Sequence, residues 1–206
     1  LGKSYTYRCI WESFLKTIIG FAISFVVALI LGIIAGNIPA FKKIFAPFFS
    51  ILKSIPTASL VFLFLVLVGA KNSPILMVCL ISLPIIYESV NRGFENIDQS
   101  IKDATLVDGA NFINKIVRIY IPNIVPFLFV GIVSSFSLSF KIEIMAEVIS
   151  GTTSMGLGSI ISACQKSDPT NMVPIFAYSL IAIVIVALLS ILLFFLEKKI
   201  IKSTTK

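Results

Sequence analysis

Apolar residues in this chain fall in long unbroken runs, not at alternating positions, and the runs are separated by short polar connectors. Five of them predict membrane-spanning helices: Phe14–Gly36, Ser54–Ala70, Pro74–Val90, Pro122–Phe140 and Met172–Leu196. A helix crosses the hydrocarbon core with roughly 20 apolar residues, so the second and third runs are the shortest that qualify. A sixth, Ile142–Ala163, is interrupted by Glu143, Glu147, the run Gly151-Thr152-Thr153-Ser154, Gly156 and Gly158. Irregular backbone at membrane depth needs protein or a water-filled cavity to satisfy its polar groups. The sixth stretch therefore reads either as a re-entrant segment beside an internal pathway or as an external loop.

Composition sharpens this into an all-α, polytopic transmembrane bundle of five to six spans forming one domain over residues 1–206. Of 206 residues, 57% are hydrophobic and 13% charged, against about 25% charged in ordinary soluble domains. No large extramembrane catalytic domain fits. The chain has no histidine, which excludes His-assisted nucleophilic catalysis, His-ligated metal and His-ligated haem. Cys9, Cys79 and Cys164 are far apart, without the paired spacing of a zinc site or a disulfide framework, and read as packing residues. No metal or cofactor is expected. The net charge of +7 bears on topology here and does not point to nucleic acid.

Placing the polar segment between the third and fourth spans in the cytoplasm sets eleven cations inside. They are Lys42, Lys43, Lys53, Arg92, Lys102, Lys115, Arg118, Lys198, Lys199, Lys202 and Lys206. Six lie outside: Lys3, Arg8, Lys16, Lys71, Lys141 and Lys166. The excess of cytoplasmic cations favours that orientation. It leaves the N-terminus outside, an oddity in a chain that opens on Leu1 and one that an extra N-terminal helix would remove. No cleavable signal is visible in the first thirty residues: Phe14–Gly36 is too long for a signal's apolar core and lacks a small-residue cleavage site.

The connector 92–121 is the longest polar segment, and long ordered loops usually carry function. Its pattern predicts two short helices, Gln99–Asp108 and Asn111–Tyr120, with Gly109 supplying the turn and Pro122 opening the next span. Ile101, Ala104 and Val107 make one apolar face at helical spacing, a surface suited to docking on a partner.

Within this connector Asp103-Ala104-Thr105, three residues, Gly109, nine residues and Ile119-Tyr120-Ile121-Pro122 resemble the EAA loop of binding-protein-dependent ABC importer permeases. Every spacing agrees, while Asp103, Thr105 and Ile121 replace the Glu, Ala and Leu of the family pattern. The resemblance implies the type I importer permease fold, with 92–121 as the coupling loop seated in a groove of a cytoplasmic ATPase subunit. It implies Asp103, Ala104, Thr105, Val107, Gly109 and Ala110 as docking residues. Small Ala104 permits close approach, and Gly109 permits a turn that a bulkier residue would strain. From Trp11 to Lys199 the order of spans is similar to that of the nitrate, sulfonate and taurine branch, including Lys53-Ser54-Ile55-Pro56 and Glu147 followed by Ser154-Met155-Gly156-Leu157-Gly158. That likeness implies a small organic or inorganic anion, or a related small molecule, delivered by an extracytoplasmic binding protein to a multi-pass permease of the inner or plasma membrane.

An ionisable group in the apolar interior costs about 2.5–3.5 kcal/mol on insertion scales, so each one needs an explanation. Lys53 and Glu88 fall near cytoplasmic ends, where their side chains can snorkel to the headgroups. Glu143 and Glu147, four residues apart, share a helix face. They are read either as a proton relay or, with Glu147 tied to backbone donors or to Lys141, as a structural brace shaping the outer mouth; the brace is favoured. Ser135 and Ser139, with Ser134 and Ser137 beside them, give the fourth span a polar stripe that suits either a water-lined path or close helix packing.

The chain contains no Gly-rich loop followed by Lys-Ser or Lys-Thr, so it is not expected to bind ATP or to act as an enzyme. Energy would come from ATPase subunits, and two copies of the permease would enclose the path. A proton-coupled secondary transporter using Glu143 and Glu147 is the competing expectation, and it lacks the internal repeat such folds carry. A membrane enzyme ranks third, for want of chemistry to propose.

Overall fold

The computed structural model describes residues 3–98, 120–151 and 155–204. Among them run six helices: α1 (Lys3–Asn37), α2 (Pro39–Ser54), α3 (Thr57–Glu95), α4 (Ile121–Ser150), α5 (Leu157–Ser167) and α6 (Met172–Thr204). Four of these, α1, α3, α4 and α6, are long and apolar enough to cross a membrane.

Two of the five predicted spans belong to α3, which is bent back on itself. Gly69 has φ 79° and ψ 167°, a conformation that side-chain-bearing residues rarely adopt. Across this point Val61 and Met77 share one buried cluster, whereas 16 residues of straight helix would hold them about 24 Å apart. Further out, the Phe49 and Tyr87 rings lie 4.1 Å apart, Lys53 pairs with Glu88, and Lys42 pairs with Glu95. These pairs straddle Gly69 almost symmetrically, so α2 and the first arm of α3 run antiparallel to the second arm. A break at Ile55-Pro56, both in extended or near-extended conformation, joins α2 to that first arm. Lys53 and Glu88, each expected to reach the headgroups, pair with one another while both stay partly exposed.

Association in lipid lacks a hydrophobic drive between helices and depends on close backbone approach at small residues. Gly32 and Gly36, one turn apart on α1, supply this. A Cβ on Gly32 would lie 2.7 Å from Val90, and one on Gly36 would lie 2.3 Å from the Phe94 ring. Higher on α1, a Cβ on Gly20 would meet the Ile75 carbonyl at 2.5 Å. The contacts advance together along both helices, so α1 and the second arm of α3 are parallel. Helix α4 packs between them, with Gly131 against Ser89 and Phe136 edge-on to Phe21.

The sixth stretch departs from expectation at its first half. Glu143 and Glu147 do not interrupt a helix, because α4 continues through both to Ser150. It ends at Gly151 in the left-handed region, φ 55°, and α5 folds back against α4, α1 and α6 as a short returning helix. Cys9 is buried, and Cys79 and Cys164 are half-buried; all three are free thiols.

Candidate functional site

The returning segment is held by a buried polar cluster around Glu147, whose carboxylate is fully shielded from solvent. Ser13 donates to Glu147 Oε2 at 2.8 Å, Lys16 Nζ to Oε1 at 2.5 Å, and the Gly158 amide to Oε2 at 2.9 Å. Lys16 also donates to the Met155 carbonyl at 2.8 Å, and the Leu157 amide donates to Ser13 Oγ at 2.8 Å. One carboxylate thereby joins α1, α4 and the start of α5. The glycines follow from it: a Cβ on Gly156 would lie 1.9 Å from Glu147 Oε1, and one on Gly158 would lie 2.4 Å from the Ile144 carbonyl.

This geometry matches the brace reading of Glu147 but changes its cation. Lys141 is exposed, and the ion-pair partner is Lys16, on the first helix. The sequence offers Lys16 only as an outer cation; with Ser13 it is a member of the brace that spacing does not reveal. The signal available was a lysine inside an apolar run.

Ser135, Ser139, Glu143 and Glu147 form a row along α4 at four-residue steps, and all four are buried inside the chain. Ser135 donates to the Gly131 carbonyl one turn back. Ser139 Oγ and both Glu143 oxygens have no hydrogen-bond partner among the described residues. The row thus divides into an anchored end at Glu147 and unsatisfied members beneath it. The coupling-loop residues Asp103, Ala104, Thr105, Val107, Gly109 and Ala110 lie outside the described residues.

A helical bundle with several spans, a braced returning helix and a long polar connector between α3 and α4 defines a membrane permease of the type I importer fold. Residues 28–202 match the family of the binding-protein-dependent transport system inner membrane component, and the chain belongs to that family. As a member it is a membrane subunit of a binding-protein-dependent transport system. Two solved structures of inward-facing conformations of the MetNI methionine ABC transporter are similar to the chain. One has a TM-score of 0.77 at 19% identity, covering 100% of both chains. The other has 0.76 at 18%, covering 99% of this chain and 98% of that one. An amino acid ABC transporter crystallised with histidines gives 0.75 at 15% identity, covering 95% and 94%. No curated protein matches the chain.

Proposed function

We propose that the chain forms, as a homodimer, the translocation path of an ATP-driven importer for a small solute bearing an acid group. The nitrate, sulfonate and taurine class and the methionine and amino acids named for the structural neighbours share that chemistry. The observation that carries the reading is the family match, which runs continuously over 28–202 and so includes the connector with Asp103, Ala104 and Gly109. In this reading the connector docks on the ATPase, and closure of the ATPases turns α3 and α4 as rigid bodies between inward- and outward-open states. Ser139 and Glu143, buried and without hydrogen-bond partners among the described residues, are the members of the α4 row that such a rotation brings to water, while Glu147 holds the outer cap. Co-expression with the neighbouring ATPase and binding-protein genes tests this: ATP-dependent uptake of an acid solute into vesicles is expected. Uptake that needs only a proton gradient would instead favour secondary transport through Glu143 and Glu147.

A further inference from the structure

A cleft of about 280 Å³ opens between α2 and the end of α3. Ala46 and Phe49 form its apolar wall, and its rim sets Lys42 and Arg92 against Glu88 and Glu95. A second hollow of about 200 Å³ adjoins it, sharing Lys42, Asn91 and Glu95. Tyr87 and Asn91, one turn apart on α3, line the larger cleft, and only 3% and 5% of their surfaces are exposed. The Tyr87 hydroxyl and Asn91 Oδ1 have no hydrogen-bond partner among the described residues. Asn91 Nδ2 is already committed to the Tyr87 carbonyl at 2.9 Å, so Oδ1 is the end left to accept. Buried polar groups are nearly always satisfied, and a donor and an acceptor left over side by side mark a place where another molecule can bond.

The surrounding chain fixes the depth. Gly36, at the end of α1, lies against the Phe94 ring near the end of α3, and the apolar run of α3 closes at Val90. Lys42, Glu88, Arg92 and Glu95 therefore sit where the bundle leaves the hydrocarbon core on its cation-rich side, at the level of the cytoplasmic headgroups. The connector 92–121 does not approach the cleft at either of its described ends. Ile97 and Tyr120 pack with Val90, Phe94 and Ile124, on another face of α3.

The charges select the ligand. Lys42 pairs with Glu95 and Lys53 with Glu88, but both carboxylates stay partly open to solvent. Arg92 is exposed and has no ion pair among the described residues. With two charges of each sign on its rim, the cleft gains little from a net anion or a net cation and suits a group carrying both. A phosphate can meet Arg92 and the Tyr87 hydroxyl, while a primary ammonium a short chain away can meet Asn91 Oδ1 and the open carboxylate oxygens. We infer that the α2–α3 cleft binds the phosphoethanolamine headgroup of a phospholipid in the cytoplasmic leaflet.

The test uses the purified permease–ATPase complex in detergent micelles doped with equal amounts of phosphatidylethanolamine, phosphatidylcholine and phosphatidylglycerol, with bound lipid read by native mass spectrometry. Wild type is expected to retain phosphatidylethanolamine about tenfold over phosphatidylcholine, whose trimethylammonium has no N–H to donate. Asn91→Ala should bring that ratio close to one. Tyr87→Phe, which keeps the ring against Phe49, should lower phosphatidylethanolamine retention without changing the unfolding temperature in lipid-free detergent. Equal retention of phosphatidylethanolamine and phosphatidylcholine by wild type overturns the site, as does a preference that neither substitution alters. Phosphatidylglycerol retained above both would overturn it too, because the cleft would then select net charge. Displacement of the lipid by equimolar O-phosphoethanolamine would assign the cleft to a soluble ligand and overturn the lipid as its occupant.

Discussion

Lys16 and Glu147 are 131 positions apart in the chain and 2.5 Å apart in space. Removing one partner of a buried ion pair leaves the other charge uncompensated, which typically costs about 3–5 kcal/mol, whereas replacing both with well-packed apolar groups is far milder. Lys16→Met and Glu147→Leu are each expected to lower the thermal unfolding temperature of the purified complex markedly. Lys16→Met combined with Glu147→Leu should recover part of that loss. Additive losses in the double variant would show that the two residues do not act as a pair.

Gly156 is extended, φ 171°, so its constraint is steric. Its missing side chain is where the Glu147 carboxylate sits. Gly156→Ala should displace that carboxylate or α5, with a cost of about 1–3 kcal/mol, and should open the α5 segment to proteolysis. Unchanged cleavage kinetics would mean that the brace tolerates the methyl group.

Single cysteines at positions 139 and 143 are expected to be unreactive to water-soluble thiol reagents in one nucleotide state and reactive in another. Positions 139 and 143 closed in every state would place the path on a different face.

Asp168, in the exposed turn before α6, accepts hydrogen bonds from the Thr170 hydroxyl at 2.7 Å and amide at 3.1 Å, and from the Asn171 amide at 3.3 Å. The Thr170 hydroxyl above all, then these amides, hold its carboxyl below the ordinary carboxylate value. Because the folded value is the lower one, the contribution of this turn is present above the unfolded value and is lost as pH falls through the folded one. An NMR titration should therefore find Asp168 below the ordinary aspartate value, and Thr170→Val should raise it.

The spans were legible because bilayer thickness imposes a minimum run of apolar residues, and α1, α4 and α6 follow directly from theirs. The hairpin in α3 was legible as two runs separated by Lys71-Asn72-Ser73, although the backbone reverses slightly earlier, at Gly69. What periodicity misread was the continuity of α4. Acidic residues in an apolar run look like interruptions, and only a partner on another helix makes Glu147 compatible with one. That partner, Lys16, has no local spacing relation to it. The Asp103–Pro122 pattern lies in consecutive residues and could be read without tertiary context, although its residues 103–119 lie outside the described residues.

The coupling role of the 92–121 connector is tested most directly by measuring ATP hydrolysis and solute uptake side by side in proteoliposomes containing wild-type permease or Gly109→Val, each with the ATPase and binding protein. Wild type is expected to couple the two, and Gly109→Val to keep hydrolysis while losing most uptake. Uptake at the wild-type rate in Gly109→Val, or in wild-type vesicles lacking the ATPase, would contradict the account.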